Sequence, residues 1–367
     1  MRRKFKIDPD TVLIVNGSSS SGSTGKGWKN LYKKIKEVFG ETPPEIVFTK
    51  KAGDGTALTR EFLKKGFKKI VAIGGDGTIN EVANGFFLIE EEQKKVNNNR
   101  QASSSFSSDY IEQEREEEKK KNNNNNNNSR IPKAALAKPI NSEAVMGLIP
   151  SGTRNVLAKS LNLPEGIMEC CHNFAKGKIQ KIDVITATAT DLEDRSKIST
   201  RAFLNAAEIG FGAEIIDRSK KVRSKIKSRL VSTVAGIVST MPAYQSNMCE
   251  FILDDGREKI LTKMTMGIVA NTKYLGGGFK AASQASVSDG LLDVIILKDS
   301  GSLKMIDELA TMKTGDYSNE GDVFYKRAKK VSINSKERDV SVAVDGEPIG
   351  ILPATFQAYQ HALNIIS

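Results

Sequence analysis

A glycine-rich stretch with a single carboxylate is the part of this sequence best suited to chemistry. Gly74–Thr78 places three glycines around Asp76, between the apolar run Ile70–Ile73 and apolar residues at helical spacing that begin at Ile79. A strand, a glycine turn and a helix start point backbone N–H groups at an anion, and glycine lets a phosphate approach where a Cβ would clash. The stretch therefore predicts a phosphate-binding turn.

Asp76 is the unusual member of this stretch, because a carboxylate repels phosphate. It would hold a cation, polarise a water molecule or accept a proton from an acceptor hydroxyl. An ordinary strand-to-helix turn with an aspartate N-cap explains the same residues without catalysis, and short glycine motifs also occur by chance. The residues alone leave both interpretations open.

Two further loops resemble this junction. A Gly/Ser/Thr loop, Gly17–Gly27, follows the predicted strand Thr11–Asn16, but Ser23 stands where a P-loop requires lysine. Ser151–Asn155 follows the apolar strand Val145–Pro150 and precedes a helix. A flexible linker is the alternative for the first loop, whereas two strand–glycine–helix junctions in one α/β unit favour nucleotide binding.

Acidic residues next to glycines recur in the second half of the chain. Asp289 and Asp293 flank Gly290, and Asp345-Gly-Glu347 forms a further group. Phosphoryl transfer needs positioned phosphates, Mg²⁺ and an oriented hydroxyl, and carboxylates are ligands that Mg²⁺ prefers. The alternative for each group is a hairpin turn, in which Asp-Gly is common.

The elements that must position these residues indicate an α/β fold. Strands alternate with helices in the first half, which predicts a Rossmann-like parallel sheet with helices on both faces. Ligands bind such sheets at the carboxyl ends of strands, where Asn16, Thr49 and Gly74 fall. From Lys178 onward, short β-rich runs separated by turns predict a C-terminal antiparallel, sandwich-like domain.

The predicted domains cover residues 1–160 and 161–353, and residues 354–367 are expected to return to the first domain. Residues 90–138 interrupt the first domain with Glu-rich and Lys-rich runs and the homopolymer Asn122–Asn128. Their low hydrophobicity and low complexity predict a disordered insert.

Composition narrows the cellular setting. The 367 residues carry a formal net charge of +11, and basic residues are concentrated between Arg218 and Arg229. This surplus suits an anionic membrane or a nucleotide, whereas an aromatic content of 6% argues against nucleic acid as a partner. We expect a cytoplasmic protein that associates peripherally with membranes through residues 218–229. The alternative for this segment is a solvated helix face.

Several classes of protein and site are disfavoured by the same counts. No apolar run is long enough to cross a membrane, and no secretory signal is expected. Three cysteines without metal-binding spacing suit a reduced protein, and two histidines make a histidine-rich metal site or a Ser-His-Asp triad a poor expectation.

The motifs taken together resemble the diacylglycerol kinase catalytic family of lipid kinases, which includes the bacterial soluble diacylglycerol kinases and the sphingosine kinases. Their order and spacing carry the resemblance, which covers the chain except for the insert. Gly17 departs from the family pattern, because proline often follows the asparagine there. The motifs are Gly74–Thr78 with Asn80 and Glu81, Pro150-x-Gly-Thr-x-Asn155, Asn205 with Gly210-Phe-Gly212, Gly276–Gly278, Asp289–Asp293 and Asp345–Glu347.

The resemblance implies an ATP- and Mg²⁺-dependent kinase with its site between the two domains. Glu347 would accept the proton of a lipid hydroxyl, with Asp345 beside it, and Asp76 is the third candidate catalytic residue. Asp289 would hold a structural Mg²⁺ with the backbone carbonyls of Ser286 and Leu291. The residues implied to contact ATP are Asn16, Gly17, Ser18, Thr49, Gly74, Gly75, Asp76, Gly77, Thr78, Asn80, Glu81, Gly152, Thr153 and Asn155.

Two rival functions stay open at this stage. An NAD kinase shares the Gly-Gly-Asp-Gly-Thr turn, although the later acidic motifs fit it less well. A non-catalytic protein that binds a nucleotide or an anionic lipid is the rival from another class. The expected partner is diacylglycerol or a related lipid alcohol at a membrane surface. The sequence decides neither the lipid nor whether the chain forms a homodimer.

Overall fold

The computed structural model describes residues 9–39, 44–89, 131–134, 137–223, 244–275, 279–299, 301, 311–317 and 321–367. Most of the predicted insert, residues 90–130, lies outside these ranges. So do Gly276–Gly278 and, beyond Arg218, the side chains of the basic segment. In the described ranges, no helix is both long enough and apolar enough to cross a membrane.

The first half of the chain alternates strands with helices. Its strands are β1 (Thr11–Val15), β2 (Glu45–Phe48), β3 (Lys69–Gly74), β4 (Phe87–Ile89), β5 (Ala137–Pro139) and β6 (Val145–Pro150). Its helices are α1 (Ser19–Lys26), α2 (Trp28–Phe39), α3 (Asp54–Lys64), α4 (Asp76–Gly85), α5 (Val156–Ser160) and α6 (Ile167–Lys176).

Four of these strands form a parallel sheet in the order β2-β1-β3-β6. Alternate residues of β1 enter two different cores, because successive side chains of a strand point to opposite faces. Val12 and Ile14 pack in the core that holds residues of α3 and α4, whereas Leu13 and Val15 pack in the core that holds residues of α2 and α6. Helices therefore cover both faces, and the loops after β1, β3 and β6 emerge at one edge.

The second half is rich in antiparallel strands. They are β7 (Ile179–Thr190), β8 (Ile198–Phe203), β9 (Ala206–Gly210), β10 (Asn247–Leu253), β11 (Glu258–Ala270), β12 (Leu292–Lys298), β13 (Val323–Ala328), β14 (Lys330–Ser335), β15 (Ser341–Val344) and β16 (Glu347–Ile366). Helix α7 (Phe211–Arg223) follows β9 directly. Phe203, Phe251 and Phe356 lie in the main core of this half.

Strand β16 joins the two halves. It pairs antiparallel with β7, β14 and β15, and its last residues, Asn364–Ile366, pair parallel with β6 at Val145–Gly147. One long strand thus runs from the antiparallel half into the edge of the parallel sheet. Its first residue is Glu347, directly after the Asp345-Gly346 turn.

The predicted end of the insert at residue 138 is wrong. Pro132 is buried, and its carbonyl oxygen accepts a hydrogen bond of 2.7 Å from the Thr355 hydroxyl. Ala137 is buried as well, and β5 pairs with β4. The described residues of this part of the insert, 131–134 and 137–138, thus include buried positions, because a few apolar residues follow the polar run closely. An average over composition hides so short a return to the core.

Candidate active site

Two glycine turns lie against each other at the edge of the parallel sheet. Gly74 and Pro150 are paired at the ends of β3 and β6, and the Ser151 N–H donates to the Gly74 carbonyl oxygen at 2.8 Å. A Cβ added to Gly152 would lie 2.5 Å from the Gly75 Cα. The backbones of the two turns are in direct contact at Gly75 and Gly152, so a larger residue at position 152 would push the turns apart.

The loop after β1 reaches the same place. The Asn16 side-chain amide donates to the Thr78 hydroxyl at 2.9 Å, and the Asn16 Oδ1 accepts from the Ser18 N–H at 2.9 Å. The Thr24 hydroxyl donates to the Ser151 hydroxyl at 3.1 Å. Three loops that are distant in sequence are thus held together by their own polar groups. The N-terminus of α4 lies among them, which is the geometry that favours an anion.

Asp76 lies where the two turns meet, and it has a structural role there. It is the first residue of α4, and its Oδ1 accepts a hydrogen bond of 2.6 Å from the Val156 N–H, at the start of α5. The carboxylate therefore caps a neighbouring helix rather than its own. This contact fixes the second turn relative to the first.

Several residues predicted to contact ATP make contacts within the protein. The Glu81 Oε2 accepts from the Gly55 N–H at 3.0 Å, which ties α4 to α3. Asn80 is buried, and its Oδ1 accepts from the Asn84 side chain at 3.1 Å. The Thr49 N–H donates to the Val15 carbonyl oxygen at 2.9 Å, and Thr153 is exposed. Their nucleotide contacts stay predictions.

The Asp345-Gly346 turn of the second half is fixed by its own carboxylate. The Asp345 Oδ1 accepts from the N–H groups of Asn205 and Ala206 at 3.1 and 3.0 Å, and its Oδ2 accepts from that of Leu204 at 3.2 Å. The turn is thereby bound to the start of β9. Glu347 follows this turn at the start of β16 and is exposed. The catalytic roles of Asp345 and Glu347 stay predictions.

The acidic turn and the helix that follows the first glycine turn are bound to the same stretch of chain. The Asn84 side chain of α4 donates to the Ala202 carbonyl oxygen at 2.8 Å and accepts from the Ala202 N–H at 3.0 Å, next to the residues that bind Asp345. Burial raises the pKa of Asp345 to about 6, against the lowering effect of three backbone N–H donors, and the Asp76 carboxylate raises it further. A charge acts on a carboxyl in this way only across a short distance. Helix α4, which begins at Asp76, and the turn that carries Glu347 therefore lie in the same region of the fold.

Sequence reasoning missed Glu208 of β9. Its side chain is 8% exposed, and its Oε2 has no hydrogen-bond partner in the described part of the chain. Burial raises the pKa of Glu208 to about 8, Asp345 raises it further, and Arg154 of the second glycine turn lowers it. The signal was a lone carboxylate in the otherwise apolar strand Ala206–Gly210, where a charge needs a reason.

The residues at Asp289 do not fit the expected structural Mg²⁺. The Arg327 Nη2 donates to the Asp289 Oδ2, and the Asp289 Oδ1 accepts from the Leu291 N–H at 3.0 Å. The Arg327 Nε also lies 3.5 Å from the Asp293 Oδ1, which accepts from the Tyr325 hydroxyl at 2.6 Å. N–H donors engage both oxygens of Asp289, and a divalent cation there would face a guanidinium.

Other carboxylates, cysteines and histidines of the described chain do not form a metal site either. Among the residues that the structure describes, no group of three or more His, Cys, Asp or Glu side chains could hold a metal ion. The backbone carbonyls of Ser286 and Leu291 were predicted to complete the site around Asp289, whose carboxylate the Arg327 guanidinium already neutralises. The predicted metal site is thus at odds with the packing of β12 and β13.

Comparisons with known proteins agree with the motifs. The family model "Diacylglycerol kinase catalytic domain" matches residues 10–97 and 132–187. The model "YegS C-terminal NAD kinase beta sandwich-like domain" matches residues 206–367. Between them, the two models match most of both halves of the chain.

Individual relatives match over nearly their full length. A protein of Bacillus subtilis named diacylglycerol kinase is 24% identical over 353 residues, covering 95% of this chain and 93% of its own. A diacylglycerol kinase of Staphylococcus carnosus is 25% identical, covering 88% of each chain. The crystal structure of a diacylglycerol kinase from Bacillus anthracis superposes with a TM-score of 0.61 at 20% identity and covers 100% of this chain and 98% of its own. That similarity shows a shared fold.

The glycine turns, the acidic turn and the two matching family models lead to one conclusion. The chain belongs to the diacylglycerol kinase family of lipid kinases, which are phosphotransferases.

Proposed function

We propose that this protein transfers the γ-phosphate of ATP to the hydroxyl of diacylglycerol or a related lipid alcohol. One observation carries the proposal: helix α4, which begins at Asp76, and the Asp345 turn that presents Glu347 are hydrogen-bonded to the same short stretch of chain, residues 202–206. A phosphate donor bound at the glycine turns and an acceptor hydroxyl at Glu347 would then meet between the two halves of the chain. The names of the relatives support the choice of a lipid acceptor.

The parallel-sheet half is proposed as a Rossmann-like nucleotide-binding domain. Backbone N–H groups of the turns at residues 74–78 and 151–155 would bind the phosphates of ATP, helped by the positive end of α4. ATP would enter as its Mg²⁺ complex, and this Mg²⁺ would neutralise phosphate charge next to Asp76. No resident metal at Asp289 is required.

Glu347 is proposed as the general base for the acceptor hydroxyl. It is exposed at the start of β16, so a substrate can reach its carboxylate, and Asp345 fixes the turn before it through three backbone hydrogen bonds. Phosphoryl transfer depends mainly on placing the phosphate and the hydroxyl in line, with little covalent work by the protein. A turn bound to a buried strand provides that placement.

The lipid has to be reached in a membrane. We propose that the basic segment 218–229, which begins within α7, binds an anionic lipid surface, since each lysine or arginine near such a surface contributes about 1 kcal/mol. Replacing the lysines and arginines between residues 220 and 229 by glutamate is expected to abolish binding to phosphatidylserine vesicles. Unchanged, salt-insensitive vesicle binding would exclude this docking surface.

The test of the proposed function is transfer from γ-labelled ATP to a panel of acceptors. Diacylglycerol, monoacylglycerol, a long-chain amino alcohol and NAD are presented separately, with the lipids in mixed micelles. Label in a lipid product is the expected result. Label in NAD alone would support the NAD kinase alternative, and ATP binding without any transfer would support a non-catalytic nucleotide-binding protein.

A further inference from the structure

Three aromatic side chains meet at the surface beside the outermost strand of the parallel sheet. The Trp28 ring stacks with the Tyr32 ring at a centroid distance of 5.9 Å and meets the Phe48 ring edge-on at 5.0 Å. Trp28 and Tyr32 lie one turn apart on α2, and Phe48 is the last residue of the edge strand β2. These three residues are called the aromatic cluster below.

The protein covers the aromatic cluster only in part. Phe48 is 43% exposed, and it is the one aromatic among the large apolar side chains that are exposed in the described part of the chain. Trp28 and Tyr32 are half-buried. Single exposed apolar residues are common, whereas aromatic rings grouped at the surface are typical of an interaction site.

Exposed lysines follow each member of the aromatic cluster in the sequence. Helix α2 carries four lysines and a single acidic residue, Glu37. The Asp54 carboxylate of α3 accepts the backbone N–H groups of two lysines at 2.7 and 3.0 Å. Among the described residues, no ion pair involves the four exposed lysines beside the cluster, which are Lys29, Lys33, Lys50 and Lys51. The surface therefore carries a surplus of positive charge.

This combination of side chains suits an anionic membrane. Tryptophan and tyrosine favour the boundary between headgroups and acyl chains, because each has an apolar ring and one polar group, and lysines are attracted by anionic headgroups. A nucleic acid would instead need open ring faces on which bases stack. Tyr32 already stacks with Trp28, and the Lys36 ammonium lies over the Tyr32 ring, 5.3 Å from its centre.

The aromatic cluster lies at the edge of the sheet from which the glycine turns emerge. Phe48 is paired with Val15 at the carboxyl end of β1, directly before Asn16. The Asn16 side chain in turn donates to the Thr78 hydroxyl of the first glycine turn at 2.9 Å. A bilayer in contact with the cluster would therefore lie beside the edge at which phosphate transfer is proposed.

We propose that the aromatic cluster and the four exposed lysines beside it form a docking surface for a membrane that contains anionic phospholipids. The rings enter the boundary between headgroups and acyl chains, and the lysines bind headgroup phosphates. The inference rests on the proposed function, which requires a lipid substrate. It adds to segment 218–229 a second membrane contact, on the parallel-sheet half of the chain.

The first test uses the fluorescence of Trp28, which reports on this surface alone because the sequence contains no other tryptophan. The unmodified chain is mixed, without ATP, with vesicles of phosphatidylcholine or of phosphatidylcholine and phosphatidylserine. On the phosphatidylserine vesicles, the emission should move to shorter wavelength, and lipids brominated in their acyl chains should quench it. Unshifted, unquenched emission would overturn the inference, whether or not the protein sediments with the vesicles. A shift with duplex DNA in place of vesicles would overturn it in favour of a nucleic acid.

The second test reverses charges at this surface. The double variant Lys29→Glu, Lys33→Glu should bind phosphatidylserine vesicles more weakly by roughly thirtyfold or more, since each lysine near such a surface contributes about a factor of five. Lys259→Glu with Lys329→Glu is the matched control, because both lysines are exposed in the antiparallel half. Equal losses in the two double variants would overturn the inference, because only net charge would then matter.

Transfer in neutral mixed micelles separates this inference from the proposed function. There the Lys29→Glu, Lys33→Glu variant should transfer phosphate to lipid at the rate of the unmodified chain. Transfer by the unmodified chain together with unquenched Trp28 on vesicles would overturn the docking surface and leave the kinase proposal intact. Quenched Trp28 without transfer to any acceptor would support the docking surface and overturn the kinase proposal.

Discussion

The Gly77→Ala substitution tests whether Gly77 is needed for ATP binding or for the stability of the fold. Gly77 is the second residue of α4. In the described part of the chain, no atom other than those of its neighbours and of its own helix backbone lies within 4 Å of a Cβ added there. Its φ lies outside the left-handed region, so alanine fits the backbone. Alanine is favoured over glycine in a helix by about 1 kcal/mol, and the free energy of unfolding should therefore rise by up to that amount.

Nucleotide binding should change in the opposite direction. If the phosphates of ATP approach the turn at residues 74–78, the new methyl group occupies their space, and we expect the Kd for ATP to rise at least tenfold, about 1.4 kcal/mol. Urea denaturation gives the first quantity and calorimetry the second. Gly321→Ala is the matched control, because that position is also open and lies outside the glycine turns. Unchanged ATP affinity in Gly77→Ala would refute the placement of phosphate at this turn.

Four other changes test separate parts of the account. Glu347→Gln should reduce transfer to lipid by at least a hundredfold while ATP still binds, as single-turnover assays would show, and retained turnover would remove Glu347 as the base. Replacing residues 92–129 by a short Gly-Ser linker should leave a folded, active enzyme, whereas extending the deletion through Ala137 should lower the melting temperature, because Pro132 and β5 are lost. Prolonged dialysis against a chelator should leave the melting temperature unchanged, because Arg327 already neutralises Asp289 and no resident Mg²⁺ is expected there. The Arg327→Gln variant should show a melting temperature that responds to added Mg²⁺. A lower melting temperature of the unmodified chain after chelation would show that a metal is bound and contradict this conclusion. The folded state holds a proton on Glu208 that the unfolded chain loses above the ordinary glutamate pKa of 4.5. The free energy of unfolding should therefore fall between pH 6 and pH 8, by roughly 1.4 kcal/mol per pH unit at most. Urea titrations of the Glu208→Gln variant should show no such slope.

The outline of the fold could be predicted because the sequence patterns that mark strands, turns and helices are local. Apolar runs such as Ile70–Ile73 and the glycines that follow them mark strands and turns without reference to the rest of the chain. The mixed α/β character and the β-rich second half followed from such patterns and are confirmed. The return of the chain at Ile131 was missed, because a few apolar residues give no periodicity to detect.

The contacts of single side chains could not be predicted, because they depend on partners far away in sequence. Asp345 looked like a catalytic carboxylate, but its oxygens accept three N–H groups from residues 204–206. Asp289 was predicted to be a metal ligand, but it forms an ion pair with Arg327 of the neighbouring strand β13. Whether a carboxylate is free for chemistry is decided by tertiary packing, which a spacing rule does not contain.

The most direct test of the central claim is a crystal structure of the chain with a non-hydrolysable ATP analogue. The account predicts that the triphosphate lies against the backbone of both glycine turns, residues 74–78 and 151–155, with its terminal phosphate directed towards the Asp345–Glu347 turn. A nucleotide bound elsewhere, or one whose terminal phosphate points away from Glu347, would contradict it.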